Sequence, residues 1–333
     1  MTRTARLWSL CALPILLLGA TACADSDTGD DDTNSAGGDA GTRTFEADNG
    51  DIEIPVDPQR VVALSYAAQP AVELGGNVVG VHTQDNWSDN IHPDDVDTVT
   101  GLEQVGATAE ANFEAIAALD PDLIVVGWPA QGMENVPLDN LEEIAPTVTI
   151  GLGDPDSWKE VEAKVADAIG VADTYEEVEA EYDERVAALT DEYADVLDET
   201  DFTFVRSAEG TPGADSGQVL QEFGPAWNTS IAGEVGFHFI GEQNEASHQA
   251  WAAYYSLEEM DQLSDADVIL TEADPQGEIP GPTADMIAED VFSSLPAAQD
   301  DQVYPLPWSD AGTHKSALLT LDSLEEVLEQ LAP

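Results

Sequence analysis

Short apolar runs separated by helical segments govern what this chain can fold into. Val61-Val62-Ala63-Leu64-Ser65 has no polar face, so as a strand it must be covered on both sides. A helical segment follows from Pro70 to Leu74, Gly75-Gly76 breaks it, and Val78-Val79-Gly80-Val81 is the next run. Helical spacing from Asn112 to Leu119, an Asp120-Pro121-Asp122 turn and the run Leu123-Ile124-Val125-Val126 repeat the plan. Leu138 to Ile144 and Thr147-Val148-Thr149-Ile150 repeat it again. Strands alternating with helices predict a parallel sheet with helices on both faces.

A helical stretch interrupts this alternation. Ser157-x-x-Glu160 and Thr174-x-x-Glu177 have capping-box spacing, and Gly170 is a stop. From Tyr175 an apolar stripe runs through Val178, Tyr182, Val186, Leu189, Tyr193 and Val196. Neither Gly nor Pro occurs from Thr174 to Thr200, which predicts one helix about 37 Å long. Immediately after it a second sheet opens with Phe202-Thr203-Phe204-Val205. Ser256 to Leu263, an acidic turn and Val268-Ile269-Leu270 then match the plan of Phe113 to Val126. In that match Ile116 and Leu119 correspond to Met260 and Leu263, and Asp122 to Asp267. The strand Val303 to Leu306 and the helix Leu321 to Leu331 close the chain. The fold expected is α/β: two Rossmann-like lobes with parallel-rich sheets, joined by one long helix, with a ligand cleft between them.

The first 22 residues are a separate object. Arg3 and Arg6 precede an apolar stretch, Leu7 to Ala20, too short to span a bilayer. Ala20-Thr21-Ala22-Cys23 is similar to the lipobox of bacterial lipoproteins, with Cys23 as the lipidated residue; an ordinary secretory signal cut after Ala22 is the alternative. With Cys11 removed, Cys23 is the lone cysteine and cannot form an internal disulfide. The acidic, Ser/Gly-rich stretch that follows buries too little to order itself and reads as a tether. The expected division is a signal peptide at 1–22, a tether at 23–43, an N-terminal lobe at 44–156, a helical region at 157–200 and a C-terminal lobe at 201–333.

Charge excludes whole classes of function. The chain of 333 residues carries 68 acids against 9 Lys and Arg, a formal charge of −59. Such a surface repels nucleic-acid backbones and anionic lipid. At 43% hydrophobic residues it is not a disordered acidic tail. The exported part holds all 68 acids and seven bases, which suits a salty exterior that screens self-repulsion.

The segments Arg60 to Tyr66, Glu73-Leu74-Gly75, Val79-Gly80-Val81, Asn112 to Ile124 and Ser256 to Ile269 resemble iron–siderophore ABC transporter substrate-binding proteins. The resemblance covers about residues 44–331, and Asn112 to Ile124 is its most specific part. It implies a binding protein, with one rigid backbone helix between lobes, that delivers a ferric siderophore to ABC permease subunits driven by a cytoplasmic ATPase. Haem, cobalamin or bare metal ions are the alternatives within the same fold. No cofactor is expected beyond the ligand, and a lipid-anchored monomer on the outer face of the membrane is implied. Family members engage permease arginines through one surface Glu per lobe, for which Glu134 and Glu278 are the candidates.

Ligands of open α/β sheets bind beyond the carboxyl ends of the strands. That rule selects Tyr66, His82, Trp87 and Trp128 in the first lobe, and Arg206, Ser207 and Trp308 in the second. Arg206 stands out because it alone among the bases ends a core strand, and its planar fork suits anionic oxygen ligands. An anionic chelate approaching so acidic a protein needs such a local cation; an ion pair with a neighbouring acid is the competing reading. On the ligand reading, removing Arg206 weakens binding at least tenfold and leaves stability almost unchanged. The tryptophans suit a large, partly apolar chelate. His82, His238 and His314 are the histidines that would have to converge for bare-metal ligation. Dinucleotide-binding, P-loop, nucleophile-elbow and zincin motifs are all missing, which argues against an enzyme.

Overall fold

The computed structural model describes residues 41–211, 214–215, 217–244, 247 and 250–332. The signal peptide, Cys23, most of the expected tether and His248 lie outside the described residues.

A hairpin of β1 (Thr42–Ala47) and β2 (Gly50–Pro55) precedes the first sheet. Ordered strand thus begins at Thr42, inside the stretch expected to be tether. Its Phe45 and Ile54 pack into the core of the first lobe. Asp48 accepts a hydrogen bond from the Gly151 amide at 2.5 Å, and Asn49 donates to the Thr147 carbonyl at 2.9 Å.

The apolar runs form the first sheet as expected: β3 (Val61–Ser65), β4 (Val78–Val81), β5 (Glu103–Gln104), β6 (Leu123–Pro129) and β7 (Thr147–Leu152). Their order is β5-β4-β3-β6-β7, all parallel. Alternation along β3 and β6 sends Val61, Ala63, Leu123 and Val125 to one core and Val62, Leu64, Ile124 and Val126 to another. Both faces are therefore covered, which explains why these strands carry no polar stripe.

The second sheet contains β8 (Asp201–Ser207), β9 (Gln218–Glu222), β10 (His238–Phe239), β11 (Ala252–Ser256), β12 (Val268–Ala273) and β13 (Val303–Pro307). The order β11-β9-β8-β12-β13 is mixed: β8, β12 and β13 run parallel, whereas β9 is antiparallel to both β8 and β11. The short β10 pairs with the start of β8. The acidic turns tie the two lobes' sheets in the same way. The Asp122 carboxylate accepts the Gln59 and Arg60 amides at 2.7 and 2.9 Å, and the Asp267 carboxylate accepts the Asp201 amide at 3.0 Å. Each turn thus clips the strand that leads its lobe.

The helical stretch between the sheets departs from expectation in three details. Ser157 does not cap by its side chain, because its hydroxyl is spent on the Asp154 carbonyl and the Gly153 amide. Thr174 lies inside a helix that starts at Ala172. The single helix expected to Thr200 is two, Ala172–Glu192 and Ala194–Glu199, broken at the buried Tyr193. The break lets both Tyr193 and Leu197 reach the second lobe's core. Gly170 ends the preceding helix in the left-handed conformation, as its position suggests.

The N-terminus of the last helix, His314–Leu331, clasps acids of the first lobe. Glu73 accepts from the Thr313 hydroxyl and, at 2.8 Å, from the Ser316 hydroxyl. Glu162 accepts both the His314 amide at 2.9 Å and its ring Nδ1 at 2.7 Å, and Lys315 pairs with Asp95. His314 is itself buried among Trp158, Tyr175 and Tyr182. These bonds hold the lobes together at the floor of the cleft.

Candidate functional site

A cavity of about 590 Å³ opens at the carboxyl ends of the strands, lined by residues of both lobes. It lies where the rule for open α/β sheets places a ligand.

The first lobe supplies an uncharged wall. Ser65 ends β3 with φ of 53°, a left-handed turn that costs a non-glycine residue about 1–2 kcal/mol. Gly127 on β6 makes room for that turn: a Cβ there would sit 2.5 Å from the Ala67 nitrogen and 2.9 Å from the Tyr66 Cβ. Tyr66, one of the few large exposed apolar side chains at 43% exposure, stacks on Trp227 of the second lobe. Their centroids are 6.2 Å apart with planes 14° from parallel. The His82 Nδ1 accepts the Ser65 amide at 3.1 Å, so Nε2 carries the proton and meets Gln84 Oε1 at 3.1 Å. Burial lowers the His82 pKa and keeps the ring neutral. Trp87 packs edge-on against His82 and is buried, with its indole N–H lacking a hydrogen-bond partner among the described residues.

Among the described residues that line the cavity, the charged side chains all come from the second lobe. The β8–β9 register sets Arg206 opposite Leu220 and Phe204 opposite Glu222, so Arg206 and Glu222 are diagonal neighbours on one face. Arg206 Nε donates to Glu222 Oε1 at 3.1 Å, and Nη1 donates to the Ser207 carbonyl and the Thr211 hydroxyl at 3.3 Å. Glu222 has no solvent exposure, and its other oxygen accepts the Asn228 amide and side chain at 3.1 and 3.0 Å. The ion-pair reading of Arg206 is therefore realised, while Arg206 also lines the cavity. Glu272, at the end of β12, and Asp310, just past β13, line it too. Thr283 donates its hydroxyl to Glu272. Burial pushes the Glu272 carboxyl up, with Thr283 and Arg206 opposing and Asp310 and Glu222 adding. Desolvation in the cleft pushes the Asp310 carboxyl up as well, with its own backbone amide and Arg206 opposing and Glu222 adding.

Of the residues selected from sequence, Arg206, Tyr66, His82 and Trp87 come together here. Trp128 does not, because the pleat turns it to the face of Ile124 and Val126, against the outer helices. Ser207 is turned away from Arg206 by the same alternation, and its amide donates to Thr283 Oγ1 at 3.0 Å. Trp308 adopts a left-handed φ of 61° and shapes the turn that carries Asp310 without lining the cavity. His82, His238 and His314 have separate partners, Gln84, Asp201 and Glu162. No group of three or more His, Cys, Asp or Glu is placed to hold a metal among the described residues. Trp227 belongs to the aromatic set suited to a chelate but not to the strand-end selection, and Glu272 and Asp310 were not selected from sequence. The strand-end rule reaches Glu272 and Asp310, but one acid among 68 carries no signal of its own.

A model of the family described as periplasmic binding protein matches residues 61–309. An iron(3+)-hydroxamate-binding protein of Bacillus subtilis (strain 168) is 34% identical over 139 residues, 41% of this chain and 39% of that protein. The alignment thus spans about two fifths of that relative's length. The siderophore periplasmic binding protein from the fuscachelin gene cluster of Thermobifida fusca superimposes with a TM-score of 0.71 at 32% identity, covering 83% of this chain and 98% of that one. A Staphylococcus aureus protein solved with staphyloferrin B shares the fold, with a TM-score of 0.65 at 24% identity over 86% of this chain and 99% of its own.

Proposed function

This chain belongs to the periplasmic binding protein family, and on that premise we propose that it captures a ferric siderophore outside the cytoplasmic membrane and delivers it to an ABC permease with a cytoplasmic ATPase. It acts as a carrier, with no reaction at the site. The observation that carries this reading is the two-walled cleft itself: an aromatic face from Tyr66, Trp87 and Trp227 set against the Arg206 guanidinium. Aromatic faces take up the apolar skirt of a chelate, and the guanidinium donates to its iron-bound oxygens. The names of the relatives, which bind iron(3+)-hydroxamates or siderophores, support the same class of ligand.

Delivery requires one docking contact on each lobe. Glu134 and Glu278 are both exposed, and each follows by five residues the strand that pairs beside its lobe's leading strand. That common placement near the cleft supports their role in engaging permease arginines. Attachment through a lipidated Cys23, as a monomer, accords with the family resemblance of the N-terminus; no helix among the described residues is long and apolar enough to cross a membrane.

The test is a fluorescence titration of the purified protein with a ferric trihydroxamate, its iron-free form, haem and cobalamin. Saturable quenching by the ferric chelate alone is expected. Quenching by haem or cobalamin and not by any ferric chelate would transfer the protein to another ligand class.

A further inference from the structure

The charges of the cleft specify more than a siderophore in general. Among the described residues Arg206 is the only permanent cation lining the cavity, and Glu222, fully buried at 3.1 Å, answers its charge. Two further acids, Glu272 and Asp310, line the same space and share Arg206 with Glu222, its charge opposing the upward shift of both. They arise from neighbouring strand ends, since β12 pairs in parallel with β13 and with β8, so Arg206, Glu272 and Asp310 follow one another along one wall. The described residues of the opposite wall bring no compensating charge: Tyr66, Gln69, Gln84 and Asn90 are uncharged, and the half-buried His82, its pKa lowered by desolvation, is neutral. One cation thus stands against three carboxyl groups, of which Glu222 is fully buried, Glu272 half-buried and Asp310 exposed at the mouth of the cavity, and charge is felt more strongly there the less water screens it.

Such a wall opposes an anionic guest. An anion entering beside Arg206 competes with Glu222 for the guanidinium and shares the cavity with Glu272 and Asp310. A guest with a cationic appendage reverses the balance. We infer that this cleft selects iron chelates of net positive charge, its Glu272 and Asp310 carboxylates receiving a cationic group of the ligand while Arg206 donates to the iron-bound oxygens. The inference rests on the chelate-binding function proposed above. It reverses the ligand reading from sequence, in which Arg206 served an anionic chelate, and builds on the ion-pair alternative to it. The ligand reading missed the three acids brought beside Arg206 by strands β9, β12 and the end of β13.

The experiment compares three ferric trihydroxamates with one iron-binding skeleton: ferrioxamine B, which has a pendant ammonium, its neutral N-acetyl derivative and its anionic N-succinyl derivative. Tryptophan quenching of the full mature protein gives each Kd at low and high salt. The cationic chelate is expected to bind at least about tenfold more tightly than the anionic one, with the neutral one between and the spread narrowing in high salt. In the Glu272→Gln/Asp310→Asn double variant the order is expected to collapse. Asp310→Asn alone, a near-isosteric change in the cleft, keeps the test open where the double variant does not fold, and is expected to lose part of the preference. Equal affinities, or tighter binding of the anionic chelate, would overturn the charge selection while leaving chelate binding intact. Binding of none of the three ferric chelates would overturn the chelate reading, and this inference with it.

Discussion

Arg206→Met tests how the two lives of this arginine are joined. Glu222 is fully buried, and the substitution removes the cation paired with it at 3.1 Å. Stranding one member of a buried pair costs about 3–5 kcal/mol. Two features reduce this. The Glu222 Oε2 keeps both Asn228 donors, and Arg206 is itself 19% exposed, so the pair is not wholly desolvated. A loss of about 2–3 kcal/mol is therefore expected, or roughly 3–5 °C in Tm. Adding Glu222→Gln removes the stranded charge and should restore part of the loss, giving a coupling of about 1–2 kcal/mol in the double-mutant cycle. Urea unfolding of the four proteins measures it, and chelate titration of the same set measures binding separately. An Arg206→Met protein that melts within about 1 °C of its parent, or strictly additive single changes, would refute the reasoning. Arg206 would then follow the ligand reading of the sequence and not its ion-pair alternative.

Two further outcomes are expected. Gly127→Ala places a methyl 2.5 Å from the Ala67 nitrogen, so the Tyr66 turn must move; a loss of about 1–3 kcal/mol and weaker chelate quenching should accompany it, checked by denaturation and titration. Burial pushes the Glu73 carboxyl above its ordinary range, against the hydrogen bonds from Thr313, the His92 amide, Gln69 and Ser316. The native state therefore holds this proton more tightly than the unfolded chain, and its contribution to stability grows as pH falls from neutral through the raised pKa. Glu73→Gln, which copies the protonated group, should be more stable than its parent near about pH 7, the gap closing toward about pH 4; a constant gap across melts at several pH values contradicts the assignment.

The alternation of apolar runs and helices made the two sheets legible because a strand covered on both faces has no polar position to hide it. The acidic turns were legible too, since Asp122 and Asp267 sit at the same place in two copies of one local plan. The antiparallel β9 and β11 were not, because pairing direction depends on a long connection whose residues carry no periodic signal. The break at Tyr193 escaped for a related reason. Its apolar spacing continues the helix stripe, and only the second lobe's core decides that the chain bends there.

The candidate site divides along the same line. The strand-end rule found Tyr66, His82, Trp87 and Arg206 because a strand's end is a one-dimensional property. Whether Trp128 faces the cleft or the outer helices is settled by the pleat at Gly127, and whether Trp227 reaches Tyr66 by the approach of one lobe to the other. By itself the sequence determined an acidic α/β chain with few cations to place near a ligand. Tertiary structure alone decided what charge that ligand meets. Strand register, not sequence distance, brought Glu222 against Arg206 and set Glu272 and Asp310 on the same wall, and electrostatic energy depends on separation in space.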